Sequence, residues 1–331
     1  MEECKLTFVN VGYGEAMVLR CPAPERPGGV FVMAIDGGSA EAEEYADRTS
    51  GRLTLAEYLR RTGTDHIDCM VSTHIHEDHV CGLLAAAELC PPAELWQTLP
   101  SDFYRGTMRI LDTTLAETPS QSKFLRAFND YQRVCAGGEQ GGGAIRTLGA
   151  GDSGQLCPDL RWQVLAPGPA DAGELERRCR DLFAEEEPRA FLQALNALDA
   201  RMNNFSLMLL LEYRGVRLLL PGDTNRAGYG AVPPELLRAD LFKVGHHGQR
   251  DGVAPALLEA VRPGMAVCCA SSDRRYDSAH PDTLAMIAAA GAELYFSDCP
   301  PVASGRPAPH EALEFAVGGR AGLSARYVEH V

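Results

Sequence analysis

Short apolar runs of strand length recur along the chain, and most of them close on a turn. Two runs at residues 5–10 and 17–20 flank a glycine-containing segment, which predicts a hairpin. A third run at 30–35 ends at Asp36, as a strand entering a turn does. Further strands are predicted at residues 67–73, 161–167, 205–212, 216–220, 241–244, 265–270, 294–296 and 313–317.

Apolar residues spaced three and four apart predict helices between these strands. The predicted helices cover residues 40–61, 80–89, 113–134, 254–261 and 283–290, with a further pair over 171–200 that breaks at Pro188. Residues 136–154 are crowded with glycine, which predicts a flexible loop or a turn-rich hairpin. Because we find no internal repeat and no long linker, we expect one domain over residues 1–331, with helical or glycine-rich insertions at about 101–160 and 168–202.

The net charge and the composition limit the classes of function that we expect for the protein. The 331 residues include 31 Lys and Arg against 45 Asp and Glu, a net charge of −14, so no global attraction draws the protein to nucleic acid or an anionic membrane. Local basic patches remain open. The longest apolar runs fall well short of the roughly 20 residues that a membrane-spanning helix needs, so we expect no membrane association.

The cysteines and the first residues of the sequence bear on the cellular compartment of the protein. Residues 1–5 carry no basic region followed by an apolar stretch, which argues against a secretory signal. The 11 cysteines are an odd number scattered along a long chain, which fits free thiols in a reducing compartment. We therefore expect a cytoplasmic protein.

The densest chemical signal lies between residues 74 and 79, on the loop that joins a predicted strand to a predicted helix. His74, His76, Asp78 and His79 offer four metal ligands within six residues. A tight loop can direct such a set at one point, so the segment predicts a metal site. The alternative is a polar loop whose histidines only cap the helix.

Other candidate ligands also stand where apolar strands end. Asp36 follows the strand at 30–35, Asp223 follows 216–220, and His246 and His247 follow 241–244. If these strands lie side by side, their carboxyl ends open onto one shared cleft.

The order of these motifs resembles that of the metallo-β-lactamase superfamily and, more narrowly, the hydrolase domain of ComEC-type DNA-uptake proteins. The motifs are Val9-Asn10-Val11-Gly12-Tyr13-Gly14-Glu15-Ala16, Asn203-Asn204-Phe205-Ser206-Leu207, Leu220-Pro221-Gly222-Asp223 and Lys243-Val244-Gly245-His246-His247-Gly248, together with Tyr276 and His280-Pro281. The resemblance spans residues 5–300 without the middle insertions. It implies an α/β (α+β) fold, the αββα four-layer sandwich of two mixed β-sheets flanked by helices.

The resemblance also implies two metal ions and a ligand set. The first metal would take His74 and His76; the second would take Asp78, His79 and His247; Asp223 would bridge the two. Catalytic roles would then fall on Asp78, Asp223 and His246, with His246 donating a proton or gripping the substrate.

Further positions of the resemblance surround this set. Asp36 would support the histidine loop from outside the ligand shell, and Tyr276 and His280 would contact the substrate. Many superfamily members place another histidine on the first metal where this chain has Asn203 and Asn204, as the ComEC-like group does. These two residues would complete the first metal, or they serve only as a turn before the next strand.

Imidazole and carboxylate ligands suit two Zn²⁺ ions, and Mn²⁺ or Fe²⁺ would also fit. Two metals about 3.5 to 4 Å apart hold a bridging hydroxide that can attack phosphorus or carbonyl carbon. We therefore predict a binuclear phosphodiesterase or nuclease acting on a small-molecule, nucleotide or nucleic-acid phosphodiester. The alternatives are an esterase, lactonase or phosphoryl-headgroup hydrolase of the same fold, and a non-catalytic metal-binding scaffold.

Overall fold

The computed structural model describes residues 3–303, 305–318 and 322–331. The strands are β1 Cys4–Val9, β2 Ala16–Pro22, β3 Val30–Gly37, β4 Ile67–Val71, β5 Pro92–Gln97, β6 Ala144–Thr147, β7 Ser153–Cys157, β8 Leu160–Ala166, β9 Met208–Tyr213, β10 Val216–Leu220, β11 Leu241–Lys243, β12 Met265–Cys268, β13 Glu293–Phe296, β14 Ala312–Val317 and β15 Leu323–Val328. The helices are α1 Leu55–Arg61, α2 Glu77–Leu89, α3 Ser101–Gly106, α4 Pro119–Gln140, α5 Pro169–Ala184, α6 Pro188–Met202, α7 Pro255–Val261 and α8 Pro281–Ala289.

The strands form two mixed sheets. The first has the order β15-β14-β1-β2-β3-β4-β5-β6, antiparallel as far as β3 and parallel from β3 to β6. The second has the order β13-β12-β11-β10-β9-β8-β7, parallel from β13 to β10 and antiparallel beyond. Both sheets thus contain a parallel block whose carboxyl ends can carry a site.

Side-chain alternation along the strands builds three apolar layers. On β9, Leu209 and Leu211 pack between the two sheets, whereas Met208 and Leu210 pack under α7 and α8 on the outer face. The outer face of the first sheet packs against α1, α2, α4, α5 and α6. The helix-sheet-sheet-helix order confirms the predicted αββα sandwich.

The helix predicted at residues 40–61 is wrong over most of its length, because α1 begins only at Leu55. Glu44 and Arg52 turn inward instead and form a buried ion pair of 2.8 Å, and Arg52 Nε lies 3.1 Å from Asp298. A capping box between Thr54 and the third helical residue then starts the helix. A long-range charge contact overrides the local helical spacing here.

The predicted ends of the middle helix are also corrected. A capping box at Thr118 starts α4 later than predicted, and the helix continues through two glycines to Gln140. In the remainder of the glycine-rich segment, strands β6 and β7 are separated by turns and do not pair with each other: β6 pairs with β5 of the first sheet and β7 with β8 of the second. The segment is therefore not a local hairpin. Strand β15 at the sheet edge was not predicted.

Two cysteines depart from the expectation of free thiols. Cys4 and Cys21 face each other across the paired strands β1 and β2, with Cα atoms 4.2 Å apart, and are joined by a disulfide. The other nine cysteines are free and buried. Within the described ranges, no helix is both long and apolar enough to cross a bilayer.

Candidate metal centre

The histidine loop lies where the two sheets open toward the same edge. His74 and His76 follow β4, and Asp78 and His79 lie in the first turn of α2. The neighbouring loop before β2 is pressed onto that turn, since a Cβ added to Gly14 would meet the carbonyl oxygen of residue 78 at 2.3 Å. Glycine is therefore required at this close approach.

The second sheet supplies its ligands from the ends of two adjacent parallel strands. Asp223 follows β10 and His247 follows β11. His246 and His247 both have positive φ angles, 48° and 50°, a region that side chains other than glycine seldom adopt. Such strain is typical of functional sites, because the surrounding structure must hold it in place.

Four ligand atoms from the two sheets converge on one point. The separations are 2.9 Å from His247 Nε2 to Asp223 Oδ2, 3.0 Å from His247 Nε2 to Asp78 Oδ2, 3.3 Å from His79 Nε2 to Asp223 Oδ2 and 3.9 Å from His79 Nε2 to Asp78 Oδ2. Ligand atoms around a tetrahedral zinc ion lie roughly 3.4 Å apart, given bonds of about 2.0–2.2 Å. The spacing therefore fits one divalent cation.

Each imidazole of this group has its outer nitrogen held by a protein oxygen. His79 Nδ1 lies 2.8 Å from Asp36 Oδ2, and His247 Nδ1 lies 2.9 Å from the carbonyl oxygen of Cys269. Nε2 of each histidine is buried and, among the described residues, makes no hydrogen bond of good geometry, although a carboxylate oxygen of Asp223 lies 2.9 Å from His247 and 3.3 Å from His79. Buried polar atoms are rarely left unpaired, and metal-bound histidines have this second contact, so the arrangement suits a cation.

His74 and His76 form a second pair of candidate metal ligands. His74 Nε2 lies 3.0 Å from His76 Nδ1. The remaining nitrogen of His74 lies 3.1 Å from the hydroxyl of Thr73, which also donates to Asp36. The remaining nitrogen of His76 lies 3.0 Å from Asp199 Oδ1, a residue that the sequence did not single out.

Charge within the cluster favours a cation. Burial alone would lower the pKa of His79, but the carboxylates of Asp223 and Asp36 raise it overall. Burial lowers the pKa of His74, and its imidazole neighbours lower it further. Burial opposes ionisation of Asp223, yet His247 and His79 hold its pKa well below the usual range. The site therefore combines ionised carboxylates with a neutral donor nitrogen on His74.

A buried lysine and glutamate lie directly behind the ligands, and neither was predicted as a site residue. Lys243 is fully buried on β11, and its Nζ contacts Glu15, the carbonyl oxygen of Gly222 at 2.7 Å and Asp223 Oδ1 at 3.1 Å. Glu15 also belongs, with His79, Asp223 and His247, to a buried group whose ligand atoms lie within 4.8 Å of one another. A charged residue inside an apolar strand is the sequence signal that could have revealed Lys243.

The ligands lie at the base of an open cleft of about 510 Å³. Its walls are formed by Tyr13, His76, Glu77, Asp78, Pro119, Ser120, Lys123, Phe124, Asp199, Asn203, Asp223, His246, Gln249 and Tyr276. The exposed ring of Tyr276 lies 5.0 Å from that of Tyr13, which lies 4.5 Å from the imidazole of His247. A row of mutually tilted aromatic rings thus leads from solvent to the ligands.

Comparison with known proteins supports the motif assignment. Over 291 residues, 86% of this chain, the sequence is 23% identical to ComE operon protein 3 of Bacillus subtilis (strain 168). The chain spans 30% of the length of that protein. The protein has a metallo-β-lactamase fold and resembles the ComEC-type proteins. No family model matches the chain.

Solved structures with the metallo-β-lactamase fold show more distant similarity. Zn²⁺-bound PqqB from Methylobacterium extorquens is 13% identical, with 87% of this chain and 97% of that chain covered and a TM-score of 0.42. A diphosphatase of the PhnP family is 11% identical, with 80% and 85% covered and a TM-score of 0.37. Human tRNase Z, short form, is 14% identical, with 80% and 91% covered and a TM-score of 0.32.

The remaining residues of the predicted site lie in different surroundings. His246 lines the cleft, with Nδ1 held 2.8 Å from Asp251 Oδ1. Asn203 also lines the cleft, and its buried Oδ1 has no hydrogen-bond partner among the residues that the structure describes. Asn204 instead accepts a backbone hydrogen bond from Asn225 at 3.3 Å, as a turn residue does.

His280 lies outside the set of described residues that line the cleft. It is 6% exposed, its Nδ1 caps α8 by accepting the amide of Asp282 at 3.1 Å, and its Nε2 lies 3.0 Å from Arg250. The structure therefore gives His280 a helix-capping position rather than the substrate contact expected from the motif.

Proposed function

We propose that the protein is a metal-dependent phosphodiesterase that acts on nucleotides or single-stranded nucleic acid. The observation that carries the proposal is the convergence of Asp78, His79, Asp223 and His247 on one point, with two imidazole nitrogens left without any other partner. His74 and His76 offer a second pair of donors beside it. Two Zn²⁺ ions suit this ligand set, and Mn²⁺ or Fe²⁺ are alternatives.

When bound, such cations supply Lewis acidity, which lowers the pKa of water and stabilises charge on oxygen. The chain's own residues supply the proton donor and position the carboxylate of Asp223. Asp251 accepts the Nδ1–H of His246, so Nε2 carries the lone pair; once Nε2 has taken a proton from water, the resulting imidazolium can give that proton to a leaving oxygen. Lys243 and Glu15 fix the carboxylate of Asp223 from behind.

The cleft wall supports a nucleotide as the substrate. Tyr276 leaves 61% of its surface exposed, although it is a large aromatic residue beside a second ring, that of Tyr13. A base stacked on such a ring gains about 1–3 kcal/mol. Lys123 of α4 also lines this cleft; its ammonium lies 3.1 Å from Glu41 and 3.7 Å from Glu77, and it would have to turn from these carboxylates to meet a phosphate.

The direct test is hydrolysis by the full chain loaded with Zn²⁺, Mn²⁺ or Fe²⁺. We expect turnover of at least one of bis(p-nitrophenyl) phosphate, a cyclic nucleotide and a single-stranded oligonucleotide, and loss of that turnover in Asp223→Asn. His330→Ala, at an exposed histidine far along the chain, is the matched control and should retain the wild-type rate.

Assays of carboxylic esters and lactones, run in parallel, distinguish ester or lactone hydrolysis from phosphodiester hydrolysis. Faster turnover of that panel, with no activity on the three phosphodiesters, would assign the site to ester or lactone hydrolysis. Two bound cations without turnover of any substrate would instead indicate a non-catalytic scaffold.

A further inference from the structure

We propose that Asp199, carried by the last turns of α6, is a positioning residue for His76 and belongs to the first metal site. The inference rests on the proposed function, because it assigns a role toward one of the two cations. Neither the histidine motif nor the strand ends pointed to this residue.

The two ring nitrogens of His76 have different neighbours. Nδ1 lies 3.0 Å from His74 Nε2, whereas Nε2 lies 3.0 Å from Asp199 Oδ1. A neutral imidazole has one N–H donor and one lone pair. A carboxylate accepts only, so Asp199 selects the N–H at Nε2 and leaves the lone pair at Nδ1, next to His74, for a cation.

The other three imidazoles of the centre also have one nitrogen held by a protein oxygen and one nitrogen that faces the site. The outer nitrogens of His74, His79 and His247 lie within hydrogen-bond distance of the hydroxyl of Thr73, the carboxylate of Asp36 and the carbonyl oxygen of Cys269. Asp199 supplies the corresponding oxygen to His76. All four rings are thereby held in one tautomer, with the inward nitrogen free to coordinate.

Asp199 differs from the other three partners in the element of the fold that carries it. Those partners lie within or just after strands of the two sheets, whereas Asp199 lies on α6, in the helical segment expected from the sequence to be an insertion. The buried residues Leu195, Leu198 and Met202 anchor α6 in the outer apolar layer. Ser120 of α4 also lies 3.3 Å from Asp199 Oδ2, so two helices share this carboxylate.

The helix α6 also leads to the position where many superfamily members have a third histidine. The helix leads directly into Asn203, whose buried Oδ1 has no hydrogen-bond partner among the described residues and which lines the same cleft. One helix end thus brings a carboxylate to His76 and an amide to the wall of the same cleft. We infer that the helical pair α5 and α6 makes the first cation site dependent on a segment outside the two sheets.

The test compares Asp199→Ala and Asp199→Asn with the control Asp181→Ala, on α5, where the carboxylate is exposed and pairs only with Arg177. The affinities of both cation sites are measured by Zn²⁺ competition with a chromogenic chelator. The Co²⁺ absorption spectrum and the melting temperature of the metal-free protein are also recorded.

We expect Asp199→Ala to weaken one of the two cation sites about 10- to 100-fold, as loss of an outer partner does, and to leave the other unchanged. Asp199→Asn should weaken it less, since the amide oxygen still accepts from Nε2–H. Asp181→Ala should change neither affinity. The Co²⁺ spectrum should shift in Asp199→Ala while the melting temperature of the metal-free protein stays the same.

Three results would overturn the inference. Unchanged affinity of both sites in Asp199→Ala would remove the role altogether, and equal weakening of both sites would indicate a general structural effect. Equal, severe loss in Asp199→Asn and Asp199→Ala would make Asp199 a direct ligand. Failure of the wild-type chain to bind two cations would instead reject the proposed function, and the inference with it.

Discussion

His247 Nε2 lies 2.9 Å from Asp223 Oδ2, although 24 residues separate them along the chain. They meet because β10 and β11 are parallel neighbours and each residue follows the carboxyl end of its strand. Sheet topology, rather than local sequence, therefore builds this half of the centre. Predictions about the centre can be tested one residue at a time.

Metal removal should destabilise the protein, because a ligand that binds only the folded state adds RT ln(1 + [L]/Kd) to the free energy of unfolding. At Zn²⁺ 100-fold above Kd, we expect about 2.7 kcal/mol of stabilisation relative to chelator-treated protein. Urea denaturation measures the difference. In Asp223→Asn the Zn²⁺ effect should largely disappear, and an undiminished effect would contradict the assignment of Asp223 as a ligand.

Lys243→Met should destabilise the metal-free protein by about 3–5 kcal/mol, because Glu15 and Asp223 would remain as buried carboxylates without their cation. Urea denaturation in chelator measures the loss. The double variant Glu15→Gln, Lys243→Met should recover part of it, since one of those carboxylates is then neutral. A single variant as stable as wild type would refute the structural role of this lysine.

His246→Ala should lower kcat by about 10²- to 10⁴-fold if this residue donates a proton. Bound metal should stay at the wild-type level, because His246 is not among the converging ligand atoms. Asp251→Asn should have a smaller effect on kcat, since it removes only the group that orients the ring. A wild-type kcat in His246→Ala would exclude the proton-transfer role.

Tyr276→Ala should raise KM for a dinucleotide by about 5- to 150-fold, equivalent to the loss of one stacked base at 1–3 kcal/mol. Cleavage of an aliphatic phosphodiester should be unaffected, because that substrate has no ring to stack. Tyr276→Phe is the matched control and should retain the KM of wild type. Equal changes for both substrates would argue against a base platform.

Sequence alone predicted the parts of the protein that depend on short-range pattern. Apolar runs identified most strands, and the spacing of His74, His76 and His79 identified the ligand loop. Turn and strand signals around Asp36 and Asp223 were also local. These features could be predicted because each one is encoded within a few neighbouring residues.

What sequence missed depends on contacts between distant segments. The helix expected at 40–61 gave way to buried contacts of Arg52 with Glu44 and with Asp298, which lies 246 residues away along the chain. Lys243 contacts Glu15 across more than 200 residues, and Asp199 meets His76 across 123. Such partners become visible only when the sheets and helices are assembled.

The proposed function requires two cations between these histidines and carboxylates, and anomalous X-ray diffraction at the zinc edge detects them directly. Crystals grown with Zn²⁺ should show one peak among Asp78, His79, Asp223 and His247, and a second beside His74 and His76. Saturated crystals that show neither peak, or peaks only at other residues, would contradict the account.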